Sequence, residues 1–464
     1  MHRAESTRRR YLWGAATLLA GLALAGCSGP VGNQSPAGLG DGGTTGTLVL
    51  FAEDQPAGNV LAFELTISGA TLTNSTGGTV SVLGGAVGLE WRSRGLAPTV
   101  LSITNVPPAT YTQLTLTLSS PEMTVFDPLA GTFAEINSST IPSATLSTSS
   151  VNLSINLTLG SGEVAGLRVD LDLRNSVQLD ANNNFVINPL FAVVPTSFVV
   201  GQLPGDIDDV VGNVSALNVG GNQLTLTVLA SNQATTLSVD TGTRFEVVSG
   251  LGGLAVGDAL EVDARLQSSG DFLAQEIERE TPGASQQLRG LVLGRTPTTG
   301  DLNGLTLLVL DAIPAAFNAG GIVTVTVDAS TVFRISVEDL PVVAFPNFDF
   351  DRQTLRGGQF VHVVQRTGAG FVADSITLEE IALVGQVGAT VGTNSFEFLP
   401  DGDFFLLNGL GQISVRVSGV TELENMPGDL SSLQPNQSIV AVRGVLLFQA
   451  NNGVLVSKRV RLLQ

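Results

Sequence analysis

The sequence is poor in the side chains on which most catalytic and metal sites depend. Its 464 residues include one Cys, two His, two Tyr and two Trp. The first 26 residues contain one each of the His, Tyr and Trp, so a chain that loses them keeps only His362, Tyr111 and Trp91. Catalysis or metal binding built on several His or Cys side chains is therefore excluded within one chain.

Basic residues are also scarce. The chain has 22 Lys and Arg against 41 Asp and Glu, a formal net charge of -19, and Lys458 is its single lysine. Such a balance repels phosphate backbones, and outside the first residues the sequence suggests no basic cluster. We therefore predict that the protein does not bind nucleic acid.

Residues 1–26 are typical of an export leader. A basic start is followed by an apolar run from Leu12 to Ala25, which is too short to span a bilayer. Leu24-Ala25-Gly26-Cys27 resembles the lipobox of bacterial lipoproteins. The resemblance implies cleavage before Cys27, a diacylglycerol on its sulfur and acyl chains that anchor the protein to a membrane. The alternative is an ordinary secretory leader with an incidental cysteine.

The segment around the lipobox bears on location. Ser28 after the cysteine resembles lipoproteins sorted to an outer membrane, so we expect a lipid-anchored protein of the bacterial cell envelope, facing the periplasm or the surface. Thr7 to Leu12 resembles a twin-arginine signal, and the sequence leaves this export route and the general one open. Residues 27–46 are rich in Gly, Ser, Thr and Pro and predict a flexible tether.

From residue 47 the hydrophobic pattern predicts an all-β protein. Val151 to Leu159 alternates apolar and polar residues without a break, as half-buried antiparallel strands do, and Gly, Pro or Asn recur at short intervals. Leu167 to Arg174 alternates in the same way. Its charged positions are interpreted as a solvated outer strand surface, in which opposite charges neutralise one another.

The chain repeats itself beyond about residue 206. Leu237 to Phe245 aligns with Val325 to Phe333 and with Val415 to Leu423. Each unit has room for about five or six short strands, which is enough for a small closed barrel. An OB-like barrel is one fold of this kind. The predicted organisation is a signal peptide 1–26, a tether 27–46, an antiparallel β-sandwich 47–197 and β-barrel repeats 206–282, 285–382 and 383–464, the second with inserted loops.

Two family resemblances follow from these segments. Residues 47–197 look like the N-terminal β-sandwich of a bacterial lipoprotein family of unknown function, on Val106 to Tyr111, Val169 to Asp172 and Asn188-Pro189. The three C-terminal units resemble a small β-barrel domain of unknown function that recurs in envelope lipoproteins. Neither resemblance implies an activity.

Two motifs suggest catalysis at first sight. Asp240-Thr241-Gly242 has the form of an aspartic-protease signature, but the equivalent residues of the other repeats are Asp328-Ala329-Ser330 and Ser418-Gly419-Val420. Interchange of Asp and Ser indicates a turn. His362 aligns with Glu261 and Val440, which favours a strand residue on a partly exposed face over a general base. No catalytic residue is predicted.

Calcium is the one metal that the sequence suggests. Asp180, Asn182 and Asn184 have the one-three-five oxygen spacing of a calcium loop, although Phe185 stands where a Gly is expected. A plain polar turn explains them equally simply. The same choice applies to Asp206, Asp208 and Asp209, assigned to a linker, and to the Asp401-Gly402-Asp403 turn. We predict no cofactor, with structural calcium as the alternative.

An insertion in the second repeat is the predicted partner-binding segment. It contains Phe345, Phe348 and Phe350, and exposed aromatic side chains in a projecting loop suit docking to another molecule. The alternative is an added hairpin that buries Phe348 and Phe350 under its own domain.

The sequence thus predicts a non-enzymatic structural or interaction protein, bound to the membrane through Cys27 and to an envelope protein or a glycan. A carbohydrate-binding protein is the first alternative and requires an exposed Trp91 or a row of exposed Phe side chains. A carboxylate-based hydrolase is the second and requires an acidic pair in one cleft.

Overall fold

The computed structural model describes residues 45–196, 206–229, 231–246, 248–279, 286–313, 319–336, 348–368, 370–449 and 452–463. The leader, Cys27 and Phe345 lie outside these residues. The all-β prediction is confirmed, as is the order of a sandwich followed by three barrels. No helix in the described part of the chain has the length and apolarity to span a bilayer.

Thirteen strands precede residue 196. They are β1 Gly46–Gln55, β2 Val60–Asn74, β3 Thr79–Ser81, β4 Val87–Glu90, β5 Thr99–Val106, β6 Ala109–Asp127, β7 Thr132–Ile136, β8 Ala144–Leu146, β9 Ser150–Leu159, β10 Val164–Asp172, β11 Val177–Leu179, β12 Phe185–Ile187 and β13 Phe191–Pro195. A 3₁₀ helix Arg92–Arg94 and an α-helical turn Leu173–Ser176 interrupt them.

These strands form two facing sheets and a small third one. The first sheet has the order β13-β10-β1-β5, the second contains β3, β2, β6, β7, β4 and β9, and the third is β11-β12-β8. Alternate residues of both main sheets, such as Leu48, Leu50, Phe63 and Leu65, fill the core between them. Two pairings depart from the antiparallel prediction, since β1 runs parallel to β10 and β8 runs parallel to β12.

The remaining strands make the three barrels. The first is β14 Asp206–Asn218, β15 Gln223–Val228, β16 Ala234–Ser238, β17 Arg244–Glu246, β18 Ala259–Leu266 and β19 Phe272–Arg279. The second is β20 Gln287–Thr296, β21 Gly304–Ile313, β22 Ile322–Thr326, β23 Val332–Ile335, β24 Phe360–Gln365 and the first half of β25 Ala373–Val391. The third takes the rest of β25 with β26 Ser395–Pro400, β27 Ile413–Arg416, β28 Glu422–Glu424, β29 Ile439–Gln449 and β30 Asn452–Leu462.

Short helices lie between these strands. They are the 3₁₀ helices Val219–Gly221, Leu251–Gly253 and Leu430–Ser432, the helical turn Asp403–Phe405 and the π-helical segment Leu406–Leu410.

One pairing scheme recurs in the barrels. In the first, β14 pairs antiparallel with β15 and β18, β15 with β16, and β18 with β19, and a parallel pairing of β16 with β19 closes a ring of five strands. The third barrel repeats every step, and its ring closes through β27 and β30. In the second, an isolated bridge from Thr326 to Val372 takes the place of the closing ladder.

Strand β25 serves two barrels. Ala373–Glu379 pair with β24, and Glu380–Gln386 pair with β29. The chain therefore passes from the second barrel to the third within a strand, close to the predicted boundary at 382/383. Asp206 also lies in a strand, β14, and the assignment of this residue to a linker was wrong.

The apolar clusters cross the domain borders. Val49, Phe51 and Val100 of the sandwich pack into the cluster of the first barrel, and Leu61 and Phe126 into that of the third. Residues of β29 and β30 likewise enter the cluster of the second barrel. The outer face of the first sandwich sheet is therefore buried as well as its inner face.

Candidate functional site

The outer face of the first sandwich sheet carries a set of buried charges. The parallel register of β1 and β10 places Glu53 beside Asp170 and puts Arg168 two residues before it on the same face. Glu53 has no exposed surface, and Arg168 and Asp170 are each 2% exposed. The interpretation of this face as solvated was wrong, because the third barrel covers it.

Two arginines hold this layer together. Arg168 Nη1 lies 2.7 Å from Glu53 Oε2, and Nη2 lies 3.0 Å from Glu424 Oε1 in β28. Arg461 in β30 bonds through Nη1 to Asp170 Oδ2 at 2.8 Å, through Nε to Glu424 Oε2 at 2.5 Å, and through Nη2 to Glu53. We call these five residues the charge layer.

The ionisation of the charge layer reflects burial and proximity. Burial raises the pKa of Asp170 to about 6, although Arg461 opposes the change. Burial would also raise the pKa of Glu424, but Arg461 and Arg168 outweigh it, and the net shift is downward. The pKa of Arg461 lies above its ordinary value because Glu53, Asp170 and Glu424 overcome the effect of burial. The guanidinium group of Arg461 therefore carries a charge.

Two further arginines of the third barrel reach the sandwich. Arg443 bonds through Nε to Glu380 at 2.7 Å and through Nη1 to the carbonyl oxygen of Gly95 at 3.2 Å. Arg459 bonds to Glu422 at 2.9 Å and to the carbonyl oxygen of Leu96 at 2.5 Å. Each side chain thus joins a carboxylate of its own barrel to the backbone of the sandwich.

A polar cleft of about 390 Å³ opens beside the charge layer. Its wall comes from the sandwich and the third barrel and combines charged groups with the side-chain amides of Gln55, Asn175 and Asn425. The charged wall residues are Arg168, Asp170, Asp172, Arg174, Glu424 and Arg461. A cleft with both signs of charge and several amides is suited to a polar, hydroxylated or dipolar small molecule rather than to an apolar one.

Sequence reasoning missed Glu53, Glu424 and Arg461, although one signal was available. Lys458, Arg459 and Arg461 lie within four residues in a chain of net charge -19, and the statement that no basic cluster exists beyond the leader was wrong. Lys458 lies 3.4 Å from Asp263 of the first barrel. Strand β30 therefore supplies cations to the sandwich and to the first barrel.

The insertion of the second repeat lies partly outside the described residues. Phe350 is 9% exposed and packs edge-on against Phe333, with ring centres 5.5 Å apart. Phe348 is half-buried, and Arg416 of the third barrel lies over its ring at 5.4 Å. Phe350 therefore offers little surface to another molecule, and partner binding by Phe345, Phe348 and Phe350 stays a prediction.

The calcium candidates form the turn of the β11–β12 hairpin. Asp180 Oδ1 accepts hydrogen bonds from the backbone amides of Asn182 and Asn184, both at 2.8 Å, and Asn184 Oδ1 accepts from the amide of Ser143. The hydrogen bonds from Asn184 and Asn182 lower the pKa of Asp180, and the bond from the Asn184 backbone amide has the largest effect. In the described part of the chain no three His, Cys, Asp or Glu side chains converge to hold a metal, and calcium binding stays a prediction.

The aspartic-protease-like motif is a turn. Asp240 Oδ1 accepts from the amides of Gly242 and Thr243, and Thr243 Oγ1 donates to the carbonyl oxygen of Ala274. Asp328 and Ser418 occupy the same position in the other barrels. His362 lies half-buried in β24 with Nε2 3.1 Å from Gln287 Oε1, as expected of a strand residue.

Neither remaining aromatic side chain offers a sugar platform. Trp91 is fully buried, donates from Nε1 to the carbonyl oxygen of Leu65 at 3.1 Å and packs edge-on against Phe191. Tyr111 donates from its hydroxyl to the carbonyl oxygen of Pro107, four residues upstream, at 2.6 Å. This contact resembles the tyrosine corner of β-sandwiches. The carbohydrate-binding alternative named an exposed Trp91 or a row of exposed Phe side chains, and the first of these is excluded by the burial of Trp91.

Comparisons with known proteins agree with the two kinds of domain. The family described as Domain of unknown function (DUF4382) matches residues 45–189, in the sandwich, and Domain of unknown function (DUF5666) matches residues 211–278, in the first barrel. No curated protein matches the chain. Among solved structures, a copper(II)-bound tryptophan-to-alanine variant of CusF from Escherichia coli is 15% identical, over 17% of this chain and 98% of that one, with a TM-score of 0.14.

Proposed function

We propose that this chain is a non-enzymatic structural or interaction protein, anchored in the bacterial cell envelope through lipidated Cys27. The observation that carries the non-enzymatic role is the charge layer. Its buried acids and bases bond to one another across two domains, so they hold the sandwich and the third barrel in a fixed arrangement. A rigid body of four small β-domains on a tether suits a spacer or a docking platform.

The second and third barrels belong to the same proposal. Only the first barrel falls in the matched segment of the DUF5666 family. We infer that the other two are further copies of that domain, because all three share one strand order and one turn motif.

Lipidation is tested by substituting the cysteine. Wild-type protein and Cys27→Ala are expressed in a bacterial host with radiolabelled palmitate, and membranes are separated from soluble fractions. We expect label and membrane association in the wild type and neither in the variant. Label in Cys27→Ala, or unlabelled and fully soluble wild-type protein, would contradict the anchor.

The interaction role is tested by cross-linking in intact envelopes. Residues 338–347 are replaced by a Gly/Ser segment of equal length, which removes Phe345 but keeps Phe348 and Phe350 in their packed positions. We expect one envelope protein to be captured by the wild type and lost in the variant. A matched Gly/Ser replacement of 129–131, an exposed turn of the sandwich, should capture it normally. Equal capture by all three proteins would exclude this segment as the docking site.

Carbohydrate binding is a second candidate, and the polar cleft favours it. Side-chain amides and paired charges are the groups that recognise sugar hydroxyls. Substitution of Trp91 is not a suitable test, because this buried residue supports the fold. Gln55→Ala should abolish any binding seen on a glycan array, whereas Gln178→Ala, on an exposed strand elsewhere, should leave it unchanged. Equal binding by both variants would exclude the cleft.

The hydrolase alternative has weaker support. Glu64 has a raised pKa and lies beside Glu90 and Glu122 on neighbouring strands, but it does not line the polar cleft.

A further inference from the structure

A second, smaller cavity lies where all four domains meet. Its volume is about 40 Å³, room for about three water molecules. The sandwich contributes the Arg92–Arg94 turn, the first barrel Val211, the second barrel Arg289, and the third barrel Arg443. Four guanidinium groups thus border one small space.

Two of these guanidinium groups make no direct ion pair with a carboxylate of the described chain. Arg92 and Arg94 are 5% and 8% exposed, and the Nε atoms of both have no hydrogen-bond partner among the described residues. Arg92 donates through Nη1 to the carbonyl oxygen of Ala382 at 2.8 Å. No carboxylate of the described chain lies within 4.0 Å of the charged nitrogens of either side chain. Burial of a charged group without a direct partner is unfavourable, and a bound anion would offset this.

The nearby carboxylates do not supply this partner. Glu90 accepts hydrogen bonds from the backbone amides of Phe63, Arg92 and Ser93. Asp54 is fully buried, and neither of its carboxylate oxygens has a hydrogen-bond partner within the described chain. Asp54 and Glu90 attract Arg92 through space, and Glu90 attracts Arg94, but neither acid bonds directly to a guanidinium group.

The acids on the cavity wall are also engaged. Glu380 pairs with Arg443 at 2.7 Å, and Glu379 lies 3.4 Å from Arg289. Asp311 accepts a hydrogen bond from the backbone amide of Ala312 at 2.8 Å. This carboxylate makes no ion pair with a wall arginine and would repel a bound anion. Arg289 and Arg443 thus make direct ion pairs within the protein, whereas the Nε–H groups of Arg92 and Arg94 have no hydrogen-bond acceptor among the described residues.

We propose that this cavity binds a small tetrahedral oxyanion, such as phosphate or sulfate, through Arg92 and Arg94. Guanidinium groups match the oxygens of such an ion by two parallel hydrogen bonds, and the space suits an ion of this size. The ion would touch groups from all four domains and would stabilise their assembly in proportion to its occupancy.

Thermal unfolding of the full chain tests the proposal. Phosphate or sulfate, titrated at constant ionic strength against chloride, should raise the Tm of the wild type by several degrees and reach a plateau. Arg94→Met should show no such plateau. Because this variant removes an unpaired buried charge, it should also be at least as stable as the wild type in chloride alone. Arg334→Gln, an exposed change in β23 away from both cavities, should keep the full response.

Three outcomes would overturn the proposal. An equal rise in wild type and Arg94→Met would mean a general salt effect, and no rise would mean that the cavity holds water only. A loss of stability in Arg94→Met in chloride would mean that Arg94 is satisfied by the protein itself.

Crystals grown with selenate give a direct check that does not depend on the behaviour of the variant. Anomalous density between Arg92 and Arg94 supports the proposal, and density only elsewhere contradicts it. Glycerol phosphate tests whether the ligand is a free ion or a phosphate ester. If the site takes only a free ion, inorganic phosphate should raise the Tm and the bulkier ester should not. Stabilisation by the ester would contradict a site limited to small ions.

Discussion

Arg461 is one side chain that bonds to three carboxylates. Replacement by Met leaves Glu53 and Asp170 buried with less compensation, and loss of one partner from a buried ion pair costs about 3–5 kcal/mol. We therefore expect Arg461→Met to lower the free energy of unfolding by about that amount in urea titrations followed by tryptophan fluorescence.

An exposed pair provides the control for this prediction. Arg174 and Asp401 lie 3.1 Å apart with about a third of each side chain exposed, so Arg174→Gln should cost less than about 1 kcal/mol. Equal losses in the two variants would mean that burial adds nothing to the charge layer. Adding Asp170→Asn to Arg461→Met should recover part of the loss, because it removes one of the uncompensated charges.

Glu64 is predicted to make stability depend on pH. Burial, followed by repulsion from Glu90, Glu122 and Glu135, raises its pKa to about 7 from 4.5. The folded protein then holds this proton more tightly than the unfolded chain, so the contribution of Glu64 to stability falls as the pH rises from about 4.5 to about 7. We expect Glu64→Gln to raise the Tm at pH 8 and to change it little at pH 4.

The opposite result at pH 8 would contradict this account. A lower Tm for Glu64→Gln there would mean that the ionised carboxylate has a favourable partner. Glu135→Gln serves as the control, because this exposed residue is the smallest of the named causes and should shift the Tm less than Glu64→Gln does.

The turn before the fourth strand of each barrel is a repeated element with a testable ranking. Thr243, Thr331 and Thr421 each donate to a carbonyl oxygen of the sixth strand, and Thr331 is the most buried of them. Thr331→Val leaves the Asp328 amide without its acceptor and the carbonyl oxygen of Ala373 with Arg366 as its side-chain donor, which costs about 1–3 kcal/mol. Thr243→Val and Thr421→Val should cost less, as measured by urea unfolding.

Thr326→Val distinguishes loss of the hydrogen bonds from the general effect of placing Val in a strand. Thr326 is exposed in β22, so this change should be close to neutral. Equal costs at Thr326 and Thr331 would contradict the role of the turn.

Alternation of polar and apolar residues predicts strands well and their surroundings poorly. It correctly indicated the strand at Leu167 to Asp172 and the face that enters the sandwich core. It could not indicate that a second domain covers the other face, because a row of paired charges looks the same whether water or protein faces it. Glu53 and Arg461 are 408 residues apart, and no local pattern relates positions at that separation.

Repetition was more informative than alternation. Three aligned segments predicted three similar barrels, and the interchange of Asp240, Asp328 and Ser418 identified a turn rather than a catalytic acid. The unpaired Arg92 and Arg94 had no such signal, since their isolation depends on how four domains meet.

The whole molecule is expected to unfold in one step. Apolar clusters and ion pairs cross every border described above, and β25 belongs to two barrels, so no barrel loses its structure without exposing surface on its neighbours. We predict a single calorimetric transition whose calorimetric and van't Hoff enthalpies agree. Two or more separated transitions would show that the domains are independent.

The contact between β1 and β30 also sets an order of events. A ribosome makes Glu53 and Asp170 long before Arg461, so the nascent chain carries these two acids with Arg168 as the one arginine of the charge layer until β30 is made. Until then the first sheet has an outer face that its own domain cannot cover. Synthesis of β30 thus supplies the cover of this face, and a chain that lacks β30 would leave the outer face of β1 exposed.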